Sequence, residues 1–230
     1  MCGRFTLQSP AEDVAAAFDI STVPAHRPLF NIAPTSLVTT VGRKPDGSRG
    51  FAAFRWGLIP NWSPDGKMGP ANAKAETVAE LPTFRAALRG KRCLVVADGF
   101  YEWKTTAAGK DPYHFRLKTG KPFAFAGLWD YWPGAAGPVF TCAIITTAPN
   151  ALVGPVHNRM PVILPPSAYD VWTDRGVTDP GAVLPLLTPY PADLMDGVAV
   201  SRFVNSTRNQ GPDCLVPAPA PAASRGLFPE

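Results

Sequence analysis

Residues 93–104 read CLVVADGFYEWK, and whether this stretch runs as strand or helix decides the fold. It is dense in β-branched and aromatic residues, which fit a pleated surface. Two similar runs follow, PYHFRLK (112–118) and PFAFAGLW (122–129), separated by AAGKD and TGK. Short turn-forming connectors between such runs predict a meander. Outward from it, SLVTTVG (36–42) and FAAFRW (51–56) flank a KPDGSRG turn, and VFTCAIITT (139–147), MPVIL (160–164) and GVAVSRF (197–203) supply further strands. Helices are few. SPAEDVAAAF (9–18) predicts one with Ser9 as N-cap and Glu12 completing a capping box. PTFRAALRG (82–90) predicts a second ending at Gly90, and PPSAYDVWTDRG (165–176) a third.

The chain has 230 residues, enough to bury a sizeable core. Hydrophobic content of 46% against 17% charged marks a globular protein and excludes a disordered or fibrous one. The class is α+β with a β-rich core, in one domain over residues 1–216, followed by a Pro/Ala-rich tail at 217–230. No apolar run reaches the ~20 residues of a membrane span, and the N-terminus has no apolar signal region, so a cytoplasmic location is expected. The net charge of +4 falls wholly in the first half of the chain, which permits an anionic partner. The four cysteines and three histidines lack metal-ligand spacing, so no metal or other cofactor is expected. Cys93 and Cys142 lie in apolar strand runs and read as inert buried thiols.

Five stretches set polar residues in apolar or Gly/Pro-rich surroundings. MCGRF (1–5) places Cys2 directly behind the initiator Met. Trimming of Met1 would leave a 1,2-aminothiol, with amine and thiol pKa values near ~7.7–8.0 and ~8.5. Such a pair captures aldehydes as a thiazolidine; taken alone, though, Cys2 reads better as an accident of a short terminus. GFYEWK (99–104) puts Phe100, Glu102 and Lys104 on one strand face, Glu102 being either a solvated carboxylate or a buried general acid/base. In HNRMP (157–161), His157 suits proton transfer near neutrality and Arg159 lies two residues on; His26 and His114 read as structural. NAKAET (72–77) gives Asn72, Lys74 and Glu76 at a loop-to-strand junction. FRWGLIPNW (54–62) brings Arg55, Trp56 and Trp62 together; rings beside cations suit single-stranded nucleic acid, although Trp56 reads as core.

In this order, with NIAP (31–34), TTAPN (146–150) and VSRFVNSTRNQGPDCL (200–215), these stretches resemble the SRAP family of SOS response-associated peptidase-like, abasic-site processing proteins. The resemblance covers nearly the whole chain. It implies a twisted, bifurcated antiparallel sheet forming a pseudo-barrel with a few peripheral helices. It also implies a DNA-damage role in which Cys2, freed of Met1, forms a thiazolidine crosslink to abasic sites in single-stranded DNA, with a secondary abasic lyase activity. Asn72 would then position Cys2, Glu102 assist sugar ring opening, and His157 shuttle protons. Arg4, Lys74 and Arg159 match phosphate-contacting positions, Trp62 a base-stacking one, and Thr146 a lesser DNA contact. Lys74 departs from the family's usual Arg, replacing a bidentate fork by a point charge. A monomer that needs no membrane and no metal is expected. Two rival readings stay open: a thiol peptidase built on Cys2, His157 and Asn72, and a non-catalytic nucleic-acid binding module.

Overall fold

A computed structural model describes residues 2–107 and 109–219. In chain order the strands are β1 Arg4–Leu7, β2 Leu29–Ile32, β3 Leu37–Arg43, β4 Arg49–Trp56, β5 Asn72–Lys74, β6 Arg92–Ala97, β7 Gly99–Thr106, β8 Gly109–Leu117, β9 Phe123–Gly134, β10 Gly137–Thr147, β11 Met160–Pro161, β12 Ile163–Leu164 and β13 Met195–Ala199. The helices are α1 Ala11–Ala17, α2 Pro82–Gly90 and α3 Tyr169–Thr173, the last extending a 3₁₀ turn over Pro166–Ala168.

Two sheets result. One runs β13-β8-β7-β1-β2, and the other contains the cycle β10-β4-β3-β6-β9, which returns to β10 and so closes a five-stranded barrel. The β-rich class and barrel-like closure are as expected, but the pairing is not wholly antiparallel. β10 runs parallel to both β4 and β5. An odd number of strands leaves no alternative: alternating directions around a ring of five must bring two like directions together once.

The meander reading of residues 93–129 is corrected here. CLVVADGFYEWK is two strands in different sheets: β6 joins the barrel between β3 and β9, while β7 pairs β1 and β8. The switch falls at Asp98, the residue between β6 and β7. Its carboxylate accepts from the Thr6 hydroxyl at 2.6 Å, the Gln8 and Ser9 amides at 2.7 Å each, and the Ser9 hydroxyl at 2.8 Å. Those donors on the β1 end occupy the carboxylate and turn the chain out of the barrel. Gly99 follows because a Cβ there would lie 2.1 Å from His114 Nε2.

The same contacts overturn the capping box. Ser9 does not cap α1; Pro10 occupies that position with no side-chain bond, because the Ser9 hydroxyl is spent on Asp98. α2 begins at Pro82 and ends at Gly90 as expected, burying Phe84, Ala87 and Leu88.

Every residue of β6 is buried, as its apolar run requires. Phe5 of β1 joins the two sheets, its ring packing edge-on against Trp56 at 5.2 Å and Phe125 at 5.7 Å. Each such pair adds about 0.5–1.5 kcal/mol beyond area burial. The C-terminal segment docks slightly further than expected: Val200 bridges Pro217, and the Ala218 amide donates to the Ala199 carbonyl at 2.9 Å. The tail from 220 onward lies outside the described residues.

Candidate active site

The bonded end of β1 sets the site. β1 covers only Gly99, Phe100 and Tyr101 of β7, so from Glu102 onward β7 pairs with β8 alone. Beyond that point opens a cavity of about 720 Å³, lined by Gly3, Arg4, Glu102, Trp103, Thr105, Lys110, His157 and Asn205.

Cys2 is fully buried at the start of β1, with its thiol 3.9 Å from the Arg4 carbonyl. Burial, then the nearby Glu102 carboxylate, pushes the Cys2 thiol well above its ordinary pKa. Asn72, at the start of β5, donates from Nδ2 to the Cys2 carbonyl at 2.9 Å. β5 is held for this purpose by β10, where Asn72 faces Ile144. The buried Asn72 Oδ1 has no hydrogen-bond partner among the described residues.

Glu102 is only 2% exposed, and burial raises its pKa to about 7. His157 Nδ1 stands 3.7 Å from Glu102 Oε2. That same nitrogen lies 3.1 Å from the Arg159 amide and 3.2 Å from the Arg159 carbonyl. Neutral Nδ1 can accept from the amide, and protonated Nδ1 can donate to the carbonyl or to Glu102. The turn thus accommodates both protonation states. Burial lowers the His157 pKa, and the Lys110 cation adds to the effect. Burial thus raises the carboxyl to about 7 while lowering the imidazole from its ordinary value, which favours the protonated carboxyl and the neutral imidazole side by side.

The structure therefore gathers Cys2, Asn72, Glu102 and His157, drawn from four separate stretches. The expected DNA contacts divide differently. Arg4 lines the cavity, but its guanidinium already donates to Asn31 Oδ1 (2.9 Å) and the Val204 and Asn205 carbonyls (3.0 and 3.3 Å). It also stacks over Trp103 at 5.5 Å. Arg159 forks onto Glu76 at 2.7 and 2.9 Å and donates to the Thr146 carbonyl at 2.6 Å. Thr146 is fully buried and bonded to the Ala73 carbonyl, so it presents no side-chain atom to a ligand here. Lys74 is exposed and Trp62 is 59% exposed; neither lines the cavity. Trp56 is fully buried, donating from its indole to the Ala71 carbonyl.

Two features escaped the sequence reading. His114 does have polar company: its Nε2 is 3.3 Å from Thr6 Oγ1, which bonds Asp98. Burial lowers its pKa to about 4, so it is neutral and structural. Glu76, read as a bare carboxylate of NAKAET, is the partner that holds Arg159. A Glu and an Arg in two motifs already selected were the signal available for that pair.

A family model described as SOS response associated peptidase (SRAP) matches residues 1–207. The chain belongs to the SRAP family. Among SRAP relatives, the abasic site processing protein YoqW of Bacillus subtilis is 43% identical over 94% of this chain and 99% of its own. The abasic site processing protein HMCES of Gallus gallus is 32% identical over 84% of this chain and 67% of its own. A solved structure of a Bacteroides thetaiotaomicron protein, 26% identical, superposes with a TM-score of 0.80 over 94% of this chain and all of that one. The overall fold is thus shared with that solved structure.

Proposed function

We propose that this SRAP protein processes abasic sites in single-stranded DNA by forming a thiazolidine crosslink through Cys2 after Met1 is removed. The observation that supports it most is the setting of Cys2: its carbonyl is held by Asn72 beside a cavity that carries Glu102 and His157. The names of the relatives supply the substrate.

The chemistry follows in balanced steps. With Met1 attached, the Cys2 nitrogen is an amide and cannot react; hydrolysis of that bond makes it an amine. An abasic deoxyribose is a cyclic hemiacetal, opened when its C1′ hydroxyl loses a proton and its ring oxygen gains one. Glu102, poised near neutrality, handles that exchange. The amine then adds to the C1′ aldehyde, giving a carbinolamine that loses water to an imine as the leaving hydroxyl is protonated. His157 returns protons between these steps. The thiol finally adds across the C=N bond, its sulfur to carbon and its proton to nitrogen. One water is released and nothing is oxidised. A thiol held protonated by burial and by Glu102 suits this order, since the amine attacks first. Elimination of the 3′ phosphate from the imine would give the secondary lyase activity.

The test is a denaturing gel of the purified protein with single-stranded DNA carrying one abasic site. A retarded band is expected for wild type and absent in Cys2→Ala. No band from protein whose intact mass shows Met1 removed would overturn the reading, and binding without crosslinking would favour a simple nucleic-acid binding module.

A further inference from the structure

The cations around the cavity are not equivalent. Arg4 and Arg159, the guanidinium groups nearest to Cys2 and His157 in sequence, are already committed to protein partners. A phosphate would have to compete with bonds of 2.6–3.3 Å, two of them to a carboxylate that fits the guanidinium fork. Lys110 differs. It lines the same cavity from the second residue of β8, is exposed, and makes no side-chain hydrogen bond or ion pair among the described residues.

From this contrast we propose a phosphate subsite at Lys110, completed by Thr105, which reads the DNA backbone one nucleotide away from the reacting sugar. The proposal rests on the abasic-site reading and adds a residue to it. Thr105 is the cross-strand partner of Lys110 and lines the same cavity. Directly opposed residues of an antiparallel pair project to the same face, so the Thr105 hydroxyl and Lys110 ammonium can meet one anion together. Thr105 lies three residues beyond Glu102 on β7, about 10 Å away at ~3.4 Å per residue. By strand alternation it shares the face of Trp103, not that of Glu102, and both faces border the same cavity around the uncovered edge of β7. One extended nucleotide can bridge that span. The edge of β7 left uncovered by β1 gives the backbone its approach.

Lysine suits this role better than arginine would. It is a compact point charge on a flexible stem, able to follow a mobile single strand rather than demand one fork geometry.

The experiment uses the full chain and an unmodified single-stranded oligonucleotide, with affinity read by fluorescence anisotropy across a salt series. Removing one phosphate contact should reduce the slope of log affinity against log salt by about 0.7. That drop is expected in Lys110→Gln, with the slope restored in Lys110→Arg and unchanged in Lys118→Gln, an exposed lysine just beyond the far end of β8. An unchanged slope in Lys110→Gln would overturn the subsite. An equal drop in Lys118→Gln would also overturn it, because net charge alone would explain both. Crosslinking of abasic DNA by wild type is measured alongside. Loss of slope in a protein that never crosslinks would retain the subsite and reject the thiazolidine reading. A full crosslinking yield with an unaltered slope would do the reverse.

Discussion

His157 Nδ1 lies 3.7 Å from Glu102 Oε2, across a carboxyl that burial has brought to a pKa of about 7. The pair couples an imidazole at the mouth of the cavity to an acid inside it, and its state changes within the neutral range.

That pKa has a stability signature. A carboxyl whose pKa is raised on folding holds its proton more tightly in the folded state, so stability falls as pH rises from the ordinary carboxylate range, ~4.3, to about 7. The penalty is complete above about 7 and absent below the unfolded value. Glu102→Gln should therefore melt several degrees higher than wild type at pH 8, with the two curves converging near pH 4. An offset independent of pH in thermal scans would show that Glu102 is not the group responsible. The crosslinking rate of wild type should fall above pH 7 as the acid form is lost.

Asn72→Ala removes a side-chain hydrogen bond on the Cys2 carbonyl. A lost hydrogen bond at a part-buried site costs about 1–2 kcal/mol, or about 5–30-fold in rate if it acts on the reacting conformation. Single-turnover crosslinking at saturating DNA measures this. A fall in apparent affinity with an unchanged maximal rate would place Asn72 in binding instead.

Trp62 carries its ring in water, so Trp62→Ala should leave stability within about 0.5 kcal/mol. Loss of one stacked base should cost about 1–3 kcal/mol of single-strand affinity. Anisotropy titrations and urea melts of the same preparation separate the two effects.

Asp98→Ala should be the most damaging of these changes to the fold. It strands the donors of Thr6, Gln8 and Ser9 together, three of the four bonds being 2.7 Å or shorter. Each buried orphan costs about 1–3 kcal/mol, so a total loss of about 3 kcal/mol or more is expected. A lower urea midpoint with an unchanged m-value is the readout.

Glu76→Gln weakens the fork on Arg159, a partly exposed pair worth at most about 1 kcal/mol to the fold. It also loosens a guanidinium that is otherwise committed to Glu76, leaving it freer to meet a phosphate. Single-strand affinity should rise while the melting temperature moves little. A fall in affinity would mean that Glu76 serves mainly to orient Arg159 and the His157 turn.

Local pattern marked Cys2, Asn72, Glu102 and His157 as polar residues among apolar neighbours, but each stretch alone reads just as well as structural; only the family resemblance joined them into one site. Local pattern also found β3, β4, β9 and β10 to within a few residues. It failed where a residue answers to a distant partner. Ser9 has every local feature of an N-cap, yet its hydroxyl is taken by Asp98, far along the chain. CLVVADGFYEWK looks like one arm because nothing in its periodicity marks the passage between sheets. The mark is Asp98, and its meaning depends on Thr6 and Ser9. Lys110 was invisible for the opposite reason: its importance comes from the partners that Arg4 and Arg159 have and it lacks.

The five-stranded ring also has a consequence in time. Its parallel seam sets Arg55 against Thr141 and Trp56 against Cys142, so the ring cannot close until synthesis has passed β10. β3, β4 and β6 must wait as an open ribbon with unpaired edges, the state in which strands recruit foreign partners. Nascent chains halted before residue 137 should therefore need chaperone protection, and chains released beyond 147 should escape it. In this molecule β10, the strand that closes the ring, also carries β5, and with it Asn72, to the Cys2 carbonyl.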